Sequence, residues 1–367
     1  MKQSASRDPL RVQIVSSAGK ETSVAFLLPR LRDAISGDSR AEATLQLRRT
    51  GRLRRKLAAF LPTPGLVRRL RAVDVLIVHT FLVMCTAEIL IARFLGLRIC
   101  AIYWDTYPDS FRKPWGDRWA VTLWPMGLLE TVLLRRCDVI LPPSEDYRPA
   151  LDRLGVADRI HTLEMWPFDD LRPVQPRETV SDTVRIVFAG QINPIRGLES
   201  ACEALSKASS HGPIELHVFG TPTEGIPANQ TESLKIIQHG RHPHESLSES
   251  LPDFDFGLVS LHPDFDCAVF PSKTLSYLAA GLPVLYLGPK LPAYERFLKE
   301  TGCGVAPDAD AMPDLAAERD RLRPALAEAQ LRAIHRLEID ESDITAILGQ
   351  RARPTVSPAA QTATASM

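Results

Sequence analysis

Short, continuously apolar runs alternating with helical segments constrain this 367-residue chain more than any other feature. RVQIVSSAG (11–19), VDVLIVH (73–79), RICAIYWD (98–105) and the second half of LLETVLLRRCDVILPPS (128–144) read as strands. Helices are expected between them, at 22–35, at 86–96 and in the first half of 128–144. A strand that is apolar on both faces must be covered on both faces, which crossover helices over a parallel sheet achieve. A Pro-rich, acidic stretch at 166–183 interrupts the alternation, which then restarts. Strands are expected at 184–190, 214–220, 255–261 and 283–288, with helices near 198–206, 273–280 and 324–339. The chain is longer than one core usually serves. The expected fold class is therefore α/β, with two doubly wound domains in tandem. Their expected division is a first domain at 1–165, a linker at 166–183, a second domain at 184–322, a helical segment at 323–349 and a disordered tail at 350–367.

Net charge is zero but unevenly spread. Residues 1–165 carry 26 Lys and Arg against 17 Asp and Glu, and the remainder carries 18 against 27. That asymmetry suits an anionic partner for the first half. The cysteines (Cys85, Cys100, Cys137, Cys202, Cys267, Cys303) are scattered and form no C-x-x-C. They read as small buried hydrophobes in a reducing compartment. The N-terminus MKQSASRDPLR has no apolar signal core, so export is not expected. Residues 75–102 are apolar, but His79, Glu88 and Arg93 interrupt them, and strand–helix–strand is expected rather than a membrane span. The basic run 48–71 carries Leu53, Leu57, Phe60 and Leu61 at helical spacing. It reads either as a solvated helix packed by its apolar stripe or as a segment lying on an anionic membrane. It lacks interleaved aromatics, so nucleic acid is not an expected partner. HGRHPH (239–244) has no companion ligand cluster, so no metal site is expected. Dinucleotide, P-loop and nucleophile-elbow motifs are missing.

In open α/β sheets, ligands bind beyond the carboxyl ends of the strands. In the first domain that rule selects the turn with Gly19 and Lys20, then His79, Asp105 and Asp109. In the second it selects Gly190 to Gly197, Gly220, the loop 240–244 with His242, and Ser272–Lys273. FPSKTLSYLAAGLPVLYLG (270–288) reads as a helix opening at Ser272–Lys273, a stop at Gly281 and a buried strand. Ser272 is expected to cap that helix, and Lys273 places a full charge where the helix dipole already favours an anion. Arg196 adds a fork suited to a diphosphate, and Gly190 permits close backbone approach. The plainer alternatives are simple capping by Ser272 and a solvated Arg196. Asp105 is the first choice of general base and His79 the second. Their plain alternatives are a turn carboxylate and a satisfied core histidine.

In that order, VFAGQINPIRGLE, HVFG, DFGLVSL and FPSKTLSYLAAGLPVLYLG resemble the donor-binding domain of GT-B glycosyltransferases that use nucleotide-sugars, of the family 4-like kind. YWDTYPDSF and RRCDVILPPS resemble acceptor-domain strands of bacterial polysaccharide and lipopolysaccharide enzymes. The resemblance spans roughly 70–310. It implies two Rossmann-like domains facing a cleft, the GT-B fold. It also implies Gly190, Arg196, Ser272 and Lys273 at the donor diphosphate, and Gly220, His242 and Ser276 at the nucleotide. Gly19, Lys20 and Asp109 fall on the acceptor side, with Asp105 or His79 catalytic. This chain departs from the pattern at Gln191, where an Arg is common, and at Arg196–Gly197, where Lys-Gly is common. Two usual glutamates are replaced by Ala268 and Ser276.

The implied activity is metal-independent transfer of a hexosyl unit to a glycan or lipid-linked acceptor in bacterial surface polysaccharide synthesis. No cofactor is expected, because the nucleotide-sugar is a substrate. The implied location is cytoplasmic, either free or peripheral at the inner face of the plasma membrane. A catalytically weak binding subunit and a nucleotide-sugar epimerase are the competing readings.

Overall fold

The computed structural model describes residues 8–17, 24–47, 60–79, 81–106, 120–166, 181–221, 233–241 and 250–349. The strands are β1 (Leu10–Ser16), β2 (Ala41–Leu47), β3 (Val75–His79), β4 (Arg98–Ile102), β5 (Val139–Leu141), β6 (Val184–Ala189), β7 (Ile214–Phe219), β8 (Leu234–Gly240), β9 (Phe256–Ser260), β10 (Val284–Leu287) and β11 (Gly304–Val305). The helices are α1 (Val24–Gly37), α2 (Pro64–Leu70), α3 (Thr86–Phe94), α4 (Ala120–Leu134), α5 (Arg148–Arg153), α6 (Leu198–Ala208), α7 (Lys273–Ala279), α8 (Pro292–Thr301), α9 (Leu315–Leu322), α10 (Leu326–Leu337) and α11 (Glu341–Gly349). The apolar stretch 75–102 runs strand, helix, strand.

Every strand pair is parallel, and the strands form two separate sheets. The first has the order β2-β1-β3-β4-β5, the second β11-β10-β9-β6-β7-β8. Read from its own first strand, β6, the second sheet is the 3-2-1-4-5-6 order of a dinucleotide-binding fold. Strand order reverses between β1 and β3 in one sheet and between β6 and β9 in the other. Those two switch points are where loops diverge to opposite faces and open a crevice.

Continuous apolar strands earn this arrangement. β3 is buried along its whole length. It sends Leu76 and Val78 into the layer beneath α2, α3 and α4, and Val75 and Ile77 into the opposite layer with Leu27 and Leu31 of α1. That second layer continues through Trp104 and Trp166 into Phe270, Tyr294 and Phe297, so the two halves share apolar contact.

Polar groups tie them as well. The Asp146 carboxylate, just after β5, accepts hydrogen bonds from the Ala293 and Tyr294 N–H groups at 3.0 and 3.3 Å. These are first-turn donors of α8 that the helix itself cannot satisfy. Trp166 donates from Nε1 to the Leu27 carbonyl at 2.8 Å. At the far end α11 returns to the first sheet, where Arg98 donates to the Ile347 carbonyl at 2.8 Å.

Candidate functional site

The site is built around the second switch point. β6 ends at Ala189 and Gly190 follows; β9 ends at Ser260 and its loop leads to α7. The β6–β9 ladder holds only the pairs Ile186–Phe256 and Val187–Gly257. Beyond it, the Tyr277 phenol from α7 takes the place of a strand partner. It accepts from the Ala189 N–H at 3.0 Å and lies 3.3 and 3.2 Å from the Val187 and Leu258 carbonyls. Tyr277 thereby fixes α7 to the strand ends and sets the height at which Lys273, one turn earlier, meets Gly190.

The Lys273 ammonium lies 3.7 Å above the centre of the Phe188 ring, a cation–π geometry. Nζ is inaccessible to solvent and has no hydrogen-bond acceptor among the described residues. The backbone and stem of Lys273 leave the residue partly exposed, but the charged end is inside. Burial, reinforced by the nearby Arg196 charge, holds its pKa well below the usual lysine range.

Arg196 closes a short turn, Pro194–Arg196, after β6. Gly197 follows with φ +54°, and a Cβ there would sit 2.5 Å from the His262 Cα. The His262 N–H donates to the Ile195 carbonyl at 2.8 Å, so the Arg196 turn is clamped to the loop after β9. Arg196 Nε is buried and has no partner among the described residues. Burial lowers the guanidinium pKa, and the charge of Asp105 opposes that shift. Asp105 comes from the first domain, just beyond β4. The crevice therefore brings a first-domain carboxylate toward the second-domain cation pair.

Gly220 packs its Cα against the Gly190 carbonyl, where a Cβ would lie 2.1 Å from the oxygen. Ser276 is half-buried on α7. Ser272 corrects an expectation. It occupies the N-cap position, but its φ −59° and ψ −20° are helical and its side chain makes no capping bond. A capping serine needs extended dihedrals to swing its hydroxyl onto the N–H groups ahead.

His79 ends β3 in register with Ser16, and the two side chains meet at 3.0 Å between Nδ1 and Oγ. Its ring stands edge-on to Trp104 at 4.5 Å. Burial pushes its pKa down to about 3. This is the environment of a neutral core histidine. Gly19, Lys20, Asp109 and His242 lie outside the described residues, as do 48–59 of the basic run, 167–180 of the Pro-rich stretch and all of 350–367.

The sequence reading missed Phe188, Tyr277 and Asn193. Phe188 is the penultimate residue of β6, Tyr277 lies one turn after Lys273, and Asn193 precedes the Arg196 turn, its Oδ1 buried without a partner among the described residues. An aromatic in an apolar strand or helix reads as core, so only the fold identifies the first two as supports of the site.

No protein-family model and no curated protein matches this sequence. Solved structures do. A lipopolysaccharide outer core galactosyltransferase, WaaB, in its apo form aligns with a TM-score of 0.59 at 11% identity, over 92% of this chain and 99% of that one. An α,α-trehalose-phosphate synthase (UDP-forming) from Burkholderia vietnamiensis gives 0.57 at 10% identity, over 92% and 99%. An α-glucosyltransferase in complex with UDP and a mismatched 13-mer DNA gives 0.55 at 15% identity, over 93% and 100%. With its two parallel sheets and their strand orders, the chain has the GT-B fold of these transferases.

Proposed function

We propose that this chain transfers a sugar from a nucleotide diphosphate sugar to a glycan or lipid-linked acceptor. The observation that carries the reading is the meeting of two desolvated cations, Arg196 and Lys273, at the switch point of the second sheet. Buried cationic N–H groups without acceptors, as at Lys273 Nζ and Arg196 Nε, are destabilising, so they persist where a ligand compensates them. A diphosphate is the ligand that matches two adjacent cations, a close-approach glycine and a crevice beyond strand ends.

In the reaction, negative charge grows on the diphosphate as the glycosidic bond breaks. Cations already aimed and desolvated stabilise that charge without reorganising. Asp105 enters from the opposite wall as the base for the acceptor hydroxyl in an inverting reaction. In a retaining reaction it would orient that hydroxyl instead. His79, neutral and enclosed, supports Trp104 beside Asp105 rather than taking the proton. Gly220 and Ser276 border the nucleotide in this reading, and Ser276 offers a neutral hydrogen bond where a carboxylate is usual in such enzymes. Ser272, His242, Gly19, Lys20 and Asp109 keep the roles expected from the resemblance. We further read the chain as a metal-independent hexosyltransferase of bacterial surface polysaccharide synthesis, cytoplasmic or peripheral at the inner membrane face. Two similar structures are named for UDP, which makes UDP-sugars the first donors to test.

The test is a panel of nucleotide-sugars scored by thermal stabilisation, then by transfer to added acceptors. A ligand that binds only the native state at about a hundred times its Kd raises stability by about 2.7 kcal/mol. Stabilisation by one donor with acceptor-dependent release of its nucleoside diphosphate supports the proposal. Binding without turnover on any acceptor points to a binding subunit, and conversion of free donor without acceptor points to an epimerase.

A further inference from the structure

Helix α4 is apolar on every side, although it lies on the outside of the first domain. Its inner side joins α2 and α3 over the first sheet, where Leu66, Leu70, Ile89, Ala92, Leu133 and Leu134 form a common layer. Its outer side carries Trp124, Leu128 and Val132 at four-residue spacing, 66%, 49% and 46% exposed. The only charged residue within α4 is Glu130, which is buried and accepts from the Leu82 and Val83 N–H groups at 3.0 Å each. A helix that is apolar all round belongs in an interior. Right-handed crossovers β3-α3-β4 and β4-α4-β5 make α3 its neighbour. There Leu90 and Phe94 continue the surface, with Phe94 89% exposed. Together the five side chains present roughly 500 Å² of apolar surface, since one aromatic side chain alone offers about 150–250 Å². A patch of that size on a soluble chain is commonly a contact surface.

Shape, area and charge all fit a second copy of the same chain. Trp124, Leu128 and Val132 form one ridge of i, i+4 spacing, the kind that interdigitates with its like when two helices cross. Trp124 and Val132 lie equally far from Leu128 and are the largest and smallest of the three. A two-fold axis through Leu128 therefore sets each Trp124 against the partner's Val132, bulk against space. Roughly 500 Å² per copy is most of the about 800 Å² that each partner buries in a standard interface. The half-buried Ile91, Leu95, Met126 and Leu129 border it and extend it. The centre is poor in charge and holds Trp, Phe and Met, as interface cores do. Its margin carries both signs. The C-terminal end of α4 adjoins the segment after α5, where Arg135 Nε donates to the Leu154 carbonyl at 3.0 Å. There exposed Arg135, Arg136 and Arg153 stand beside exposed Asp152 and Asp158. A margin of one sign would repel its own copy, whereas a mixed one can pair with it.

We propose that the chain forms a two-fold symmetric dimer through this face. In it α4 packs antiparallel on the α4 of a second copy, Leu128 lies at the axis, and the α3 helices extend the contact on either side. The N-terminal end of α4 lies on the same edge of the sheet as Asp105, because both follow the carboxyl ends of strands. Antiparallel pairing therefore places the two crevices at opposite ends of the helix pair. The inference rests on the outer face alone and stands whether or not the crevice transfers sugar.

The experiment is sedimentation equilibrium of the full chain over a concentration series. Wild type is expected to reach twice the mass of one chain, with a Kd in the micromolar range or below. Leu128→Asp sets two like charges against each other at the axis and is expected to weaken association at least tenfold, as is Leu128→Lys. An equimolar mixture of these two variants is expected to recover the dimer, because unlike charges then meet. That recovery is specific to a two-fold contact through position 128. Leu128 is exposed, so melting temperatures check that both variants stay folded. Trp124→Ser is a second variant, expected to weaken association at least tenfold without introducing a charge. A monomeric wild type, a Leu128→Asp protein that dimerises as wild type does, or a mixture no more associated than either variant alone would each overturn the proposal. So would binding of wild type to phosphatidylglycerol vesicles through this face in place of self-association.

Discussion

Gly190 and Lys273 are fitted to one another: a Cβ at position 190 would lie 2.6 Å from the Lys273 ammonium. Gly190 also has φ +136°, a conformation that side chains rarely adopt. Gly190→Ala therefore has two effects. It strains the backbone at the end of β6 by about 1–3 kcal/mol, and it pushes the ammonium off Phe188. The expected result is a lower melting temperature together with at least a tenfold loss of nucleoside diphosphate affinity. Retention of full affinity would separate Gly190 from the site.

The depressed pKa of Lys273 predicts proton uptake on ligand binding. A bound diphosphate favours the ammonium and raises its pKa from the lowered free-state value. Affinity should then fall as pH rises through that lowered value, beginning well below the usual 10.5. Calorimetry in buffers of different ionisation enthalpy measures the protons taken up. A pH-independent affinity with no proton exchange would contradict the desolvated lysine.

Asp105 and His79 are distinguished by different readouts. Asp105→Asn should lower turnover by about 10²–10⁴ if it serves as base. It should leave nucleoside diphosphate affinity unchanged or tighter, since a negative charge beside Arg196 is removed. His79→Gln should retain most of the turnover but alter acid stability. Its folded pKa is about 3 against 6.5 ordinarily. The unfolded chain thus binds the extra proton, and wild type loses stability as pH falls from about 6.5 toward 3. The glutamine variant should lose less over that window, measured by thermal midpoints.

Asp146 supplies α8 with a cap from the other domain. Asp146→Asn keeps its shape but turns one acceptor into a donor. The expected destabilisation is about 0.5–2 kcal/mol, the range for a lost helix cap. Chemical denaturation measures it, and an unchanged midpoint would make the contact energetically silent.

The inner strands of both sheets were readable because burial on two faces demands continuous apolar sequence, as in VLIVH and FGLVS. The outer strands β2 and β8 were not. Their exposed polar residues, Glu42 and Thr44 in one and Lys235, Gln238 and His239 in the other, dilute the pattern to that of a polar loop. Arg196 and Lys273 were recoverable because each follows a strand at the switch point, where strand order alone places ligands. Tyr277 and Asp146 were not, since one acts by replacing a strand partner and the other across domains. Ser272 shows a further limit: residue type suggested a cap, but the backbone angles that make one are set by the preceding loop.

The central claim is that Lys273 and Arg196 hold the diphosphate of the donor. Its most direct test is calorimetric titration of nucleoside diphosphates, UDP first, into wild type and Lys273→Met. Wild type is predicted to bind at least one of them, and the variant to bind it at least tenfold more weakly, the range for a lost charged hydrogen bond. The variant should also melt no lower than wild type, because a buried unpaired charge has been replaced by an apolar chain of similar length. Equal affinity in the two proteins would contradict the account.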